Sequence, residues 1–290
     1  MAESIAASAL PDPVALALAE DVGPGDVTCQ FFVGEGQRGG ARIFAKQPCV
    51  LAGVEAAARS FRLVDGATTV RTLRVDGETL AVGDTVLEAE GFVRSLLTAE
   101  RTALNFIQRL SGVATMTRRY VEAVKPHGAR ILDTRKTTPG LRLLEKAAVA
   151  AGGGTNHRMG LHDMAMVKEN HYAADPSLPA LRAAIGRFHA ARPGLRLEIE
   201  AQSLAQVRDF LGLEGVDVIM LDNLSVAEMT EAVRMRAELN PKVQFEASGG
   251  LTLATINAVA ATGVDFISVG ALTHSAPAVD FSLDLVQGGN

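Results

Sequence analysis

Apolar and polar positions follow two different rhythms along this chain, and the change falls near residue 112. Before it, helical spacing predicts helices over 13–20 and 54–63, with an extended run at 41–46 between them. Alternation over 69–75, the turn pairs Asp76-Gly77 and Gly83-Asp84, and a further run at 85–90 predict a small sheet. From 98 to 124, Leu104, Ile107, Leu110 and Val113 recur at helical spacing, and Ser111-Gly112 predicts a break or kink there. This long helix reads as a bridge between two halves.

Beyond residue 130, short β-rich runs at 131–133, 164–168, 195–200, 216–222, 243–248 and 264–270 alternate with helical stretches such as 141–151, 178–190 and 225–239. Each run recurs after roughly 20–35 residues, the length of a βαβ unit. Ser203 with Gln206 and Ser225 with Glu228 have capping-box spacing at two helix starts. Six or seven such units predict a parallel sheet, open or closed into a barrel. The expected organisation is an α/β chain: an N-terminal α+β domain over 1–112, joined by a returning segment at 276–290, then a β/α barrel over 113–275. No low-complexity linker separates the halves.

Composition narrows the class. The 290 residues are 48% hydrophobic and 21% charged, which suits a folded core, and no run nears the roughly eighteen apolar residues of a membrane span. A net charge of -5 provides no footprint for nucleic acid or an anionic membrane surface. Cys29 and Cys49 form no CxxC pair and read as core thiols in a reducing cytoplasm. The first basic residue is Arg38, so the opening residues lack a signal or transit pattern and the mature chain is expected to start near Met1.

Chemistry-bearing residues collect where strands end. Asp133-Thr134-Arg135-Lys136, Lys168, Glu198 and Glu200, Asp222-Asn223, Ser248-Gly249-Gly250 and Val269-Gly270-Ala271 each close an apolar run. In a β/α barrel those ends share one face, where active sites lie. Arg135, Lys136, Arg158 and Lys168, helped by His157, would form a cationic pocket for a small polyanion. Glu200 and Asp222 would stand opposite, suited to a divalent metal, to hydroxyl recognition or to a developing cation. The two glycine turns occupy the place where barrels often bind phosphate through backbone N–H groups. Strand alternation points Glu198 the same way as Glu200, one layer deeper.

Bland readings compete. Arg135-Lys136 alone would be a solvated basic turn, Gly152-Gly153-Gly154 a helix cap, and Glu20-Asp21 with Asp26 a structural turn. His127, His162 and His189 read as loop or surface residues, and His274 with Ser275 lies just past the last strand, within reach of the phosphate turns.

Several long segments in order resemble the quinolinate phosphoribosyltransferase family: ALAEDVGPGDVT at 17–28, AERTALNFIQRLSGVAT at 99–115, and LDTRKTTPGLRLLEKAAVAAGGGTNHRMGLHDMAMVKENH at 132–171, then EIEA, IMLDN, EASGG and VGALTHS. The resemblance implies an incomplete type II barrel and a homodimer with composite sites. It also implies transfer of phosphoribose from 5-phosphoribosyl 1-pyrophosphate to quinolinate with Mg²⁺ and loss of CO₂, giving nicotinate mononucleotide for NAD synthesis. By motif, Arg101 would reach in from the neighbouring subunit and hold the two quinolinate carboxylates with Arg135, His157, Arg158 and Lys168, and Thr134 would be a further substrate-binding residue. Lys136 would lie between the substrates, Glu200 and Asp222 would face ribose and metal, and Ser248–Gly250 and Val269–Ala271 would hold the 5-phosphate. Three rivals remain: a paralogue acting on another aromatic acid, a Schiff-base enzyme using Lys168 or Lys136, and a non-catalytic anion binder.

Overall fold

The computed structural model describes residues 11–173 and 175–286, and the expectation of a start near Met1 falls outside that range. The chain divides into two compact units, Met1–Thr115 with Pro139–Gly152 and Ala276–Asn290, and Met116–Thr138 with Gly153–Ser275.

In the first unit, α1 (Pro13–Val22) starts at Asp12, whose carboxylate accepts the Val14 N–H at 3.1 Å, with proline at the position that needs no N–H. Asp26 caps α2 (Val27–Phe32), accepting from Cys29 N–H at 2.9 Å and from the Thr98 hydroxyl at 3.0 Å. Asp26 is thus a structural turn. There follow β1 (Arg38–Ala45), β2 (Cys49–Val50), α3 (Val54–Val64), β3 (Thr69–Thr72), β4 (Thr79–Leu80), β5 (Thr85–Phe92) and α4 (Val93–Val124). Ile43, Leu87 and Ala89 of the sheet join Ala57 and Phe61 of α3 and Leu96, Ala103 and Ile107 of α4 in one apolar core. Each large side chain so buried contributes roughly 1.5–3 kcal/mol. Cys29 and Cys49 are buried free thiols, pushed up to about 11 by burial.

The long helix is not interrupted. Ser111 Oγ accepts the Ala52 N–H at 3.0 Å and donates to the Ala52 carbonyl at 3.2 Å, so its hydroxyl serves a neighbouring segment without opening α4. Gly112 is there for close approach: a Cβ would lie 2.1 Å from the Pro277 carbonyl oxygen.

The elements that follow are β6 (Arg130–Leu132), α5 (Arg142–Ala151), β7 (Ala165–Val167), α6 (Glu169–Tyr172), α7 (Leu178–Ala191), β8 (Leu197–Ala201), α8 (Leu204–Leu211), β9 (Val218–Asp222), α9 (Val226–Leu239), β10 (Gln244–Ser248), α10 (Ile256–Ala260), β11 (Phe266–Ser268), α11 (Ala271–His274) and β12 (Phe281–Val286). All except α5 and β12 belong to the second unit. Its six strands are parallel in the order β6-β11-β10-β9-β8-β7, so chain neighbours β6 and β7 occupy opposite edges and the ring stays unclosed. Thr155 covers the β6 edge, donating its N–H to Ile131 at 2.8 Å. At α9, Ser225 and Glu228 form the reciprocal capping box their spacing predicts.

Residues 113–115 and helix α5 belong with the first unit, where the fully buried Glu145 carboxylate meets Arg109 at 2.8 Å and Arg109 also binds the Ala276 carbonyl at 2.8 Å. A carboxylate buried without a partner would be costly, and Arg109 supplies one. β12 returns to pair antiparallel with β1; the last residues of the expected tail, 287–290, lie outside the described range. No helix among the described residues is long and apolar enough to cross a membrane.

Gly112→Ala is expected to lower stability by about 1–3 kcal/mol through overpacking against Pro277. Thermal melting checks this, and a parent-like melting temperature would contradict the contact.

Candidate active site

Strands β8 and β9 are buried along almost their whole length, and Glu200 and Asp222 stand near their C-terminal ends. Register puts Glu200 opposite Met220 and therefore on the same side as Asp222. Lys168, just after β7, forms an ion pair with the largely buried Glu200, and Gln202 Nε2 donates to the other Glu200 oxygen at 3.4 Å. Asp222 is raised above the usual carboxylate range, first by burial and then by the charge of Glu200, against the opposing pull of Asn223, Lys168 and Lys136. These groups share one electrostatic field.

After β6, the Thr134 hydroxyl accepts the Lys136 N–H at 3.0 Å, and the Lys136 carbonyl accepts the Thr273 hydroxyl at 2.9 Å. The turn is thereby tied to the start of α11. A Cβ on Gly270 would lie 3.1 Å from both Lys136 Cδ and His274 Nε2, so those two side chains converge over a bare backbone. Arg158 donates to the Met164 carbonyl at 3.3 Å and to Met166 Sδ at 3.4 Å. Burial and then the charge of Arg135 lower its pKa, which places the two guanidinium groups within each other's field. Ser248 ends β10, and Gly249 and Gly250 take φ of 103° and 58°, a turn open only to residues that tolerate the left-handed region.

His157 lies deeper than its expected place in the cationic wall. Its N–H donates to the fully buried Asp133 at 2.8 Å, and its Nδ1 accepts the Arg158 N–H at 2.7 Å. Nε2 therefore carries the ring proton and faces Glu198 at 3.2 Å and Glu246 at 3.3 Å. Both carboxylates are buried, and three of their four oxygens lack a well-directed donor among the described residues. Burial, then the charge of Glu246, raises Glu198 to about 7. For His157 burial acts downward while Glu198 and Glu246 pull the imidazole up, but charging the ring would cost Nδ1 its bond from the Arg158 N–H, so the geometry holds it as the neutral tautomer. The three side chains could surround a metal ion. With Nδ1 already accepting a hydrogen bond, however, the ring proton sits on Nε2, where a metal would bind.

The family models for the quinolinate phosphoribosyl transferase N-terminal domain and C-terminal domain match residues 26–111 and 113–284, in that order. The chain belongs to the quinolinate phosphoribosyltransferase family. It is 45% identical over 278 residues to the nicotinate-nucleotide pyrophosphorylase [carboxylating] of Mycobacterium leprae, covering 94% of this chain and 96% of that protein. Identity to the probable nicotinate-nucleotide pyrophosphorylase [carboxylating] of Synechocystis is 43% over 270 residues, with 93% and 90% covered. The crystal structure of NadC from Streptococcus pyogenes superposes with a TM-score of 0.88 at 41% identity, covering 95% of this chain and 96% of that one.

For this transferase fold, the second unit contains every candidate site residue from Thr134 to Ala271, and Arg101 stands exposed on α4 in the first. Glu246 escaped the sequence reading. Its signal was a carboxylate in the middle of an otherwise apolar run, two residues before Ser248 and so on the same strand face.

Glu198 holds its proton more tightly folded than unfolded. Its stabilisation is complete at low pH and is lost as pH rises through about 7. Glu198→Gln removes this step, so its melting temperature should fall less between pH 5 and 8 than the parent's. Parallel curves would refute the assignment.

Proposed function

We propose that the strand-end site carries out the family reaction, joining quinolinate to 5-phosphoribosyl 1-pyrophosphate with loss of pyrophosphate and CO₂. The observation that carries this reading is the grouping of charge at the strand ends: Arg158 lies in the field of Arg135, and Asp222 lies in the field of Glu200, Lys168 and Lys136. Guanidinium forks suit the two carboxylates of quinolinate. The glycine turns at Ser248–Gly250 and Val269–Ala271 suit the 5-phosphate through backbone N–H groups. His157, its ring turned to Glu198 and Glu246, acts by fixing the backbone that presents Arg158, with Thr134 doing the same for Lys136.

The pyridine nitrogen forms a bond to the anomeric carbon as the C–O bond to pyrophosphate breaks. Lys136 relieves the leaving charge, and the carboxylates of Glu200 and Asp222 support the oxocarbenium-like ribose. The quaternised nitrogen then accepts the electron pair left when the adjacent C–C bond breaks and CO₂ departs. A proton completes the ring. Glu200 and Asp222, hard oxygen donors whose charges already press on one another, fit Mg²⁺ directly or through substrate or water. Bound there, Mg²⁺ would supply charge neutralisation for pyrophosphate.

The expected partner is a second copy of the chain, contributing Arg101. Exposed Val27, Phe31 and Phe32 on α2 and the exposed position of Arg101 support this. Two buried reduced thiols support a cytoplasmic setting.

Mass spectrometry should detect nicotinate mononucleotide when the protein is supplied with quinolinate, phosphoribosyl pyrophosphate and Mg²⁺, and none when nicotinate replaces quinolinate. Product from nicotinate alone would overturn the dicarboxylate assignment. Arg101→Ala and Lys136→Ala, each inactive, should regain activity when subunits are mixed; no regain counts against the shared site.

A further inference from the structure

Among the described residues, Asn223 is the one non-glycine residue with a positive φ, 57°. Asparagine tolerates that region better than most residues, yet glycine would occupy it with less strain. The side chain is exposed and contributes nothing to the core. Its amide Nδ2 instead donates to Asp222 Oδ2 at 2.9 Å, while its backbone N–H donates to the Ser248 carbonyl at 2.9 Å. The amide oxygen lies flat against the next turn. A Cβ on Gly249 would meet Asn223 Oδ1 at 2.1 Å, Cγ at 2.6 Å and the backbone nitrogen at 3.0 Å. The end of β9 is thus joined to the Ser248-Gly249-Gly250 turn by one residue that touches both.

We propose that Asn223 is a positioning residue: its strained backbone and side-chain amide together aim the Asp222 carboxylate and set its distance from the glycine turn. The inference rests on the reading that Asp222 and this turn serve the ribose 5-phosphate half of the site. Backbone outliers held in place by their surroundings tend to sit where geometry matters to function. The amide's bond to Asp222 Oδ2 fixes the rotation of that carboxylate. Gly249 carries no side chain because the Asn223 amide fills that volume, which explains a glycine there independently of phosphate binding.

Three variants test this. Asn223→Gly relieves the backbone and deletes the amide; Asn223→Asp keeps shape and left-handed tolerance but replaces the donor with an acceptor facing Asp222. Asn223→Gly is expected to melt at or above the parent temperature, and both variants to show kcat/KM for phosphoribosyl pyrophosphate reduced about 10- to 100-fold, as for other groups that orient a working ligand. The Kd for quinolinate, measured alone, should not change. Parent-like kinetics in Asn223→Gly, or a loss of quinolinate binding equal to the loss for phosphoribosyl pyrophosphate, would overturn the proposal. Asp222→Asn separates the two levels. If it is inactive while Asn223→Gly is parent-like, the positioning role fails and the site reading stands; if Asp222→Asn is itself parent-like, both fail.

Discussion

A parallel sheet covered on both faces leaves a polar side chain no place along a strand except its ends. Because the six strands of the second unit all run the same way, those ends gather on one side. The site follows from that constraint. Asp133, Lys168, Glu200, Asp222 and Ser248 come from strands far apart in sequence, and hydrogen-bonded register alone puts Glu200 and Asp222 on the same face. Their charges then become interdependent, as the raised Asp222 and the Lys168–Glu200 pair record.

Glu198 and Glu246 are the exceptions, carboxylates held within the buried layer. Two such groups are tolerable only with a proton or a cation between them. His157 supplies it, and it reaches them because the segment after Gly154 runs beside the open β6 edge, with Thr155 paired to Leu132 and Asp133 holding the His157 N–H. The buried acids thus anchor the loop that carries Arg158. Arg158, the next residue on that loop, lies in the field of Arg135.

Much of this was legible beforehand. The six strand runs, the capping box at Ser225 and the one-sided collection of polar residues all appear in the sequence because period and turn chemistry are local properties. Other features are not local. Ser111-Gly112 looks like a helix break, yet Ser111 bonds to Ala52 and Gly112 makes room for Pro277, partners distant along the chain. Helix α5 carries an ordinary amphipathic pattern, which says nothing of the Arg109–Glu145 pair that ties it to α4. Helix α2 is too short for its period to show, and β2 and β4 are two residues each.

By itself the sequence determined the family, the α/β alternation and the residue types available to the site, because motif order and hydrophobic period survive without coordinates. Only the tertiary structure decided how those residues divide into layers. Whether a histidine faces substrate or a pair of buried acids, and whether an asparagine merely ends a strand or bridges to the neighbouring glycine turn, depends on strand register and on the left-handed backbone at one residue. Neither leaves a trace in the spacing of apolar positions.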